Sequence, residues 1–192
     1  MYKRAGLSLV AIAISLLILA GCSTTPPKSV VESFLSAIQA GDIEKASTYI
    51  DKGNKTLTSE LAPAEDKFGE EFGKKILSRV KYEIKKQEIS GDTAKVTATI
   101  TSLDLVRIVT KAMSDIMPMA FAAAFSDQSE EGMNAMFEQY LINSISDTNA
   151  PTTTTDVIIN LKKVDGKWLI VPDDNLLNSL TGNIEKAFRN FK

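Results

Sequence analysis

The sequence predicts an α+β fold in which an antiparallel sheet of two hairpins packs on helices, with a helical insertion between the hairpins. Apolar side chains recur at helical spacing over residues 30–38, which is typical of an amphipathic helix. Residues 81–103 and 154–172 instead alternate apolar and polar side chains, which is typical of strands with one solvated face. Helical spacing returns over about residues 103–146, so we expect this stretch to be the insertion.

Two helices are predicted before the sheet. Ser29 and Glu32 match a capping box at the start of the first helix, and Gly41 ends it. Asp42 then caps the second helix, and a short helix near residues 64–72 is expected in the loop that follows. The apolar positions of the first two helices are Val30, Val31, Phe34, Leu35, Ile38, Ile43, Ala46, Tyr49 and Ile50.

The two hairpins are predicted from their turns and their alternation. Gly91 and Asp92 form the first turn, and residues 164–167 (Val-Asp-Gly-Lys) form the second. Trp168, just after the second turn, is expected to point into the core. The other apolar strand positions are Tyr82, Ile84, Ala94, Val96, Ala98, Ile100, Val157, Ile159, Leu161 and Ile170.

The insertion is predicted to be helical, and its first helix to be mostly buried. Pro118 should kink or end its first helix, and a further helix follows over residues 133–145. A C-terminal apolar stripe runs from Leu176 to Phe191, with an interruption expected at Gly182. The first helix of the insertion keeps its polar residues on one narrow face, namely Asp104, Arg107, Lys111, Ser114 and Asp115.

The N-terminal segment has the pattern of a secretory signal. Lys3 and Arg4 precede an uncharged stretch over residues 5–20 that ends at small residues. A retained transmembrane anchor is the alternative, since about 20 apolar residues are needed to cross a bilayer. The polar, helix-breaking residues after Gly21 favour a cleaved signal.

Leu19-Ala20-Gly21-Cys22 resembles the lipobox of bacterial lipoproteins. The resemblance implies that residues 1–21 are removed and that Cys22 becomes an acylated first residue, followed by a lipidated tether over residues 22–29 and one domain over residues 30–192. Two acyl chains anchor a protein stably where one does not, so the expected partner is a membrane. A cysteine placed there by chance is the alternative.

The lipobox resemblance also predicts a location in the cell envelope. In a bacterium with two membranes, Ser23 after the acylated cysteine resembles the outer-membrane signal, which would place the protein on the periplasmic face. In a bacterium with one membrane, the protein would lie on the outer face of the cell membrane.

The composition excludes several classes of function. Without residues 1–21 the chain has 20 basic and 24 acidic residues, a balance that argues against nucleic acid and against a second, electrostatic contact with the membrane. The sequence has no histidine and one cysteine, which argues against histidine-based catalysis, thiol nucleophiles and zinc sites. We expect no cofactor, no metal and no catalytic residue. A carboxylate enzyme using Asp104 or Asp115, with a pKa raised by burial, is the alternative.

The order of the motifs resembles the NTF2-like (cystatin-like) superfamily, nearest to its DUF4878 or lumazine-binding-like branch. The resemblance rests on a helix ending in "QAGDIEKASTYI", a hairpin, and a closing hairpin with "DGKWLIV". It implies a curved sheet around an apolar cavity. Some relatives use a cavity acid for proton transfer, while many others bind ligands or act as interaction modules.

Every internal methionine lies in the insertion. Methionine adapts to irregular apolar partners, so we predict a surface for an apolar small molecule or an envelope protein. Ordinary core packing is the alternative. The leading prediction is therefore a non-enzymatic envelope lipoprotein. The alternatives are a carboxylate-dependent isomerase or cyclase-like enzyme and an interaction scaffold without a pocket. The predicted surface consists of Met113, Met117, Met133, Met136, Phe137 and Tyr140.

Overall fold

A computed structural model describes residues 25–51, 66–123 and 130–189 of the chain. Cys22 and the predicted signal segment lie outside the described residues, as does the start of the loop helix expected near residues 64–72. Among the helices described, none has the length and apolar character needed to cross a membrane.

Seven helices and four strands make up the described chain. The predicted α+β class is confirmed, and the insertion folds as two helices, α4 and α5, between the two hairpins. In chain order the elements are α1 (Pro27–Gln39), α2 (Ile43–Ser47), α3 (Lys67–Ser78), β1 (Lys81–Ser90), β2 (Thr93–Leu103), α4 (Leu105–Ala123), α5 (Glu130–Ser146), β3 (Thr152–Val164), β4 (Lys167–Val171), α6 (Asp174–Leu180) and α7 (Ile184–Arg189).

The four strands form one antiparallel sheet in the order β1-β2-β3-β4. Both predicted hairpins are present, and β2 pairs with β3 along its whole length, from Thr93↔Lys162 to Leu103↔Thr152. Gly91 has a φ of 58°, and Asp165 and Gly166 have φ of 49° and 77°. Asp165 and Gly166 are the two central residues of the second turn. Positive φ at both is typical of the type I′ turn, whose twist matches that of the strands it joins.

The first helix begins at Pro27, two residues before Ser29, so the predicted capping box at Ser29 and Glu32 is wrong. Proline suits the first position of a helix, because the N–H that it lacks has no partner there and its φ is already helical. Residues 27–29, which were predicted to belong to the tether, are therefore part of α1.

The sheet core fills the space between the sheet, α1, α2 and α6. Phe34, Leu35 and Ile38 of α1 are fully buried against the apolar strand positions. Trp168 is 7% exposed, so its predicted place in the core is confirmed. The alternating pattern of β2 is also confirmed, because Ala94, Val96, Ala98 and Ile100 are all buried.

A second apolar cluster, the helical core, lies among α3, α4, α5 and α7 at the end of β2. Leu103 and Leu105 bring the chain into it from the sheet, and Leu141 and Ile145 of α5 complete it. Gly182, in the turn between α6 and α7, packs on this junction: a Cβ there would lie 2.0 Å from the Leu103 carbonyl oxygen. The predicted interruption at Gly182 is confirmed.

Candidate functional site

The two halves of α4 differ in burial. Its first half packs into the helical core, where Leu105, Val109 and Ala112 are fully buried. Of the two outcomes predicted at Pro118, a kink or an end, the end is wrong, because the helix continues through Pro118 to residue 123. Its second half instead exposes apolar side chains: Met117 is 50% exposed, Met119 is 51% exposed and Phe121 is 66% exposed.

An open groove of about 640 Å³ runs along this exposed face of α4. The residues that line it lie three or four apart along the helix, a spacing that places them on one face. Two of them, Thr110 and Ser114, are polar, and their hydroxyls donate to backbone carbonyls of α4 itself. The lining consists of Thr110, Met113, Ser114, Met117, Pro118 and Phe121.

The predicted surface residues divide between two places. Met113 and Met117 line the groove. The other four, Met133, Met136, Phe137 and Tyr140, lie half-buried on α5, where Phe137 and Tyr140 pack against the helical core. The structure thus places two of the six in the groove. Phe121 and Pro118 were missed, although their spacing from Met117 could have indicated the shared face.

A polar contact joins α4 and α5 beside the groove. Asp115 accepts a hydrogen bond from Lys111 Nζ at 2.7 Å and another from the hydroxyl of Tyr140. The Lys111 and Tyr140 hydrogen bonds lower the pKa of Asp115, and Asp115 in turn raises the pKa of Lys111 and of Tyr140. The three residues stabilise the helix pair at its solvent-exposed side.

This geometry contradicts the proposed acid role of Asp115. A carboxylate that donates a proton near neutral pH needs a raised pKa, whereas that of Asp115 is lowered. Asp104 accepts a hydrogen bond from the backbone N–H of Arg107 at 3.1 Å. Its carboxylate also forms an ion pair with the Arg107 side chain. Asp104 therefore caps the start of α4.

A second groove, of about 610 Å³, lies between α6 and the middle of β3. The sequence patterns did not indicate it. Two acids line it, but both already accept hydrogen bonds: Asp156 from Thr99 at 2.5 Å and Asp173 from the Leu176 N–H at 2.9 Å. Its lining is polar, with Lys95, Thr155, Asp156, Asn160, Asp173, Asn175, Asn178, Ser179 and Asn183 beside Val157 and Ile158.

Within the described ranges, no three histidine, cysteine, aspartate or glutamate side chains are grouped closely enough to hold a metal ion. The acidic pairs Glu70-Glu71 and Asp173-Asp174 serve other roles. Glu70 and Glu71 pair with Lys74 and Lys75 along α3, and Asp173 caps α6.

One family and one solved structure resemble the chain. No curated protein matches it. The crystal structure of a candidate lipoprotein, ycdA, from Bacillus subtilis subsp. subtilis str. 168 is similar at 18% identity with a TM-score of 0.46; the match covers 80% of this chain and 45% of that one, so this chain spans less than half of that protein. The NTF2-like and DUF4878 resemblances stay predictions. The model of DUF5105, a domain of unknown function, matches residues 27–184, and the chain belongs to this family.

Proposed function

We propose that this chain is a non-enzymatic, lipid-anchored protein of the bacterial cell envelope that binds another envelope protein through the exposed face of α4. One observation carries the proposal: Met117 and Phe121, one turn apart on the groove side of α4, each have at least half of their surface exposed. Contiguous exposed apolar side chains on a soluble domain are typical of interaction sites. The sheet and α1 serve as the scaffold, which we propose to be NTF2-like.

The shape of the groove favours a protein over a small apolar molecule. Small-molecule sites bury most of the ligand surface in a concave pocket. The groove on α4 is instead open, and all six of its lining residues belong to one helix. A partner that lays an apolar helix face along Met113, Met117 and Phe121 could cover it, and the methionines would adapt to that face.

The lipid attachment is supported by the sequence. Cys22 follows an uncharged stretch at a lipobox-like site, and it is the only cysteine in the chain. The absence of histidine and the lowered pKa of Asp115 support a non-enzymatic role. In this proposal the protein catalyses no reaction: it is held at a membrane surface and binds its partner there.

The partner site is tested by photo-crosslinking in the native envelope. The photoreactive residue p-benzoylphenylalanine replaces Met117 or Phe121 in the groove, or Arg107 on the same helix as a matched control, since Arg107 is exposed but outside the groove. We expect one reproducible protein adduct from positions 117 and 121 and none from position 107.

A second set of variants tests specificity. Met117→Glu, at a residue that is 50% exposed, should abolish the adduct formed from position 121 without lowering the melting temperature by more than a few degrees, whereas Arg107→Glu should leave the adduct intact. Adducts with lipid alone would favour the apolar-ligand alternative. Equal adducts from positions 107 and 121 would contradict a specific site on α4.

A further inference from the structure

The two hairpin turns lie side by side at one end of the sheet. The Lys163 N–H donates to the Asp92 carbonyl at 2.8 Å, which joins the second hairpin to the first turn. Residues 85–95 and 162–168, which we call the turn segments, therefore lie together at this end of the sheet. The insertion helices begin at the opposite end of β2, an 11-residue strand that spans about 35 Å.

The start of α1 lies at the same end as the turns. The Lys28 N–H donates to Oε1 of Gln87 at 3.0 Å, two residues before Ile89. At the other end of α1, Gln39 donates to the carbonyl of Val80 at 2.6 Å, just before β1. The helix thus runs antiparallel to β1, and the chain enters the domain beside the turns.

The chain between Cys22 and Pro27 is short. Because α1 begins at Pro27, only four residues separate the cysteine from the folded domain, and even a fully extended chain from Cys22 to Pro27 spans only about 17 Å. If Cys22 is acylated, as proposed above, the end of the domain at Pro27 must stay within that distance of the bilayer.

The surface at this end combines exposed apolar side chains with lysines. Ile89 is 55% exposed and Val164 is 36% exposed, one beside each turn. The turn segments contain six lysines against three acids, although the whole chain is acidic. Two of these lysines form ion pairs with acids outside the turn segments, Lys85 with Glu83 and Lys162 with Asp51, and Lys86 pairs with Glu88. With these two outside acids included, six lysines stand beside five acids, a small basic excess at this end of an acidic chain.

We infer that the turn segments dock on the surface of an anionic lipid bilayer. Ile89 and Val164 enter the interface, while Lys163 and Lys167 contact the headgroups. Shallow apolar burial combined with basic residues is the usual chemistry of interfacial contact. This inference rests on the proposed acylation of Cys22. It gives the anchored protein one orientation, with the turns on the membrane and the insertion helices pointing away from it.

Site-specific fluorescence tests the orientation. The lipidated full chain has no free thiol if Cys22 is acylated, so Ile89→Cys, Val164→Cys or Phe121→Cys supplies a single labelling site for an environment-sensitive probe such as NBD. Each labelled protein is placed in vesicles of phosphatidylcholine, with or without phosphatidylglycerol. We expect a blue shift at positions 89 and 164 in phosphatidylglycerol vesicles, reduced by high salt, and no shift at position 121.

A matched pair of charge variants tests the lysines. Lys163→Gln with Lys167→Gln should lower the equilibrium constant for docking, measured from the probe at position 89, by roughly 25-fold, since each lysine near an anionic surface contributes about a fivefold factor. Lys45→Gln with Lys81→Gln removes the same charge from exposed sites away from the turns and should leave the blue shift intact.

The outcomes separate the two proposals. A protein that stays in vesicles with the probe at position 89 in water would overturn the docked orientation while leaving the anchor intact. An equal blue shift at positions 89 and 121 would also overturn it. A protein that leaves the vesicles altogether, with Cys22 unmodified, would overturn the lipid anchor on which the orientation depends.

Discussion

The sheet core and the helical core differ in how completely they cover their apolar residues. In the sheet core, α1 lies across the sheet, and its apolar face is fully buried. In the helical core, α4 is covered only as far as Ile116, and the apolar side chains beyond it are exposed. Large exposed apolar patches on a folded domain are typical of interaction sites, so this difference between the two cores is what supports the proposed contact at the far end of α4.

The largest expected effect comes from Gly182, which joins the two cores. Gly182→Ala would place a Cβ 2.0 Å from the Leu103 carbonyl oxygen at a residue with a φ of 60°. The clash and the backbone strain should together lower the free energy of unfolding by about 3–5 kcal/mol.

The matched control for Gly182 is Gly91, which has a φ of 58° and no neighbour within 4 Å of the added Cβ. Gly91→Ala should cost about 1 kcal/mol, from backbone strain alone. Urea unfolding of both variants measures the two costs, and equal losses would contradict the contact between Gly182 and Leu103.

A second substitution tests the contrast within the insertion. Leu141 is fully buried in the helical core, so Leu141→Ala should lower the free energy of unfolding by about 2–4 kcal/mol. Phe121→Ala should change it by less than about 0.5 kcal/mol, because Phe121 is exposed. A large loss for Phe121→Ala would show that the end of α4 is packed and is not a free surface.

A third substitution addresses the cap of α6 beside the polar groove. Asp173 accepts a hydrogen bond from the Leu176 N–H at the start of α6, so Asp173→Ala should cost about 1 kcal/mol. Asp173→Asn keeps an acceptor oxygen and should cost a few tenths of that. If chemical denaturation gives the same loss for the two variants, the acceptor oxygen at residue 173 is not what stabilises the start of α6.

The smallest expected effect is the pH dependence of the contact between α4 and α5. The Lys111 and Tyr140 hydrogen bonds lower the pKa of Asp115 below its ordinary value of 3.8. The contact therefore contributes stability above pH 3.8 that is lost as the pH falls through the lowered pKa. The pKa of Tyr140 is raised above its ordinary value of 10.0. The stability that its hydrogen bond contributes is therefore fully present below pH 10.0 and is lost as the pH rises through the raised pKa.

The titration of Asp115 followed by carbon NMR measures this contact. Lys111→Met should raise the pKa of Asp115 towards 3.8, and Tyr140→Phe should raise it by a smaller amount, in the order of their contributions. An Asp115 pKa that neither variant changes would mean that α4 and α5 are not joined at this point in solution.

Most of the sheet could be predicted from the sequence, because alternation depends only on neighbouring residues. The buried positions of β2, the turn at Asp165 and Gly166, and the burial of Trp168 all follow from local pattern. The start of α1 could not, since two adjacent prolines are compatible with either a tether or a helix start. The residues around Pro118 likewise left two outcomes open, since an interior proline removes one backbone hydrogen bond and can either kink a helix or end it.

The candidate sites were harder to predict because they depend on tertiary contacts. Tyr140 meets Asp115 across 25 residues of sequence, and the polar groove needs the middle of β3 to lie beside α6. The methionine pattern did indicate the insertion as a surface. It could not indicate that Met113 and Met117 line an open groove while Met133 and Met136 lie half-buried on another helix.

The account depends most on the state of Cys22, because both the membrane location and the docked orientation start from it. Intact-mass spectrometry of the protein purified from its native membrane measures that state directly. We expect a chain that begins at Cys22 and carries the added mass of a diacylglyceryl group. A chain that keeps residues 1–21 and a free Cys22 thiol would contradict the account.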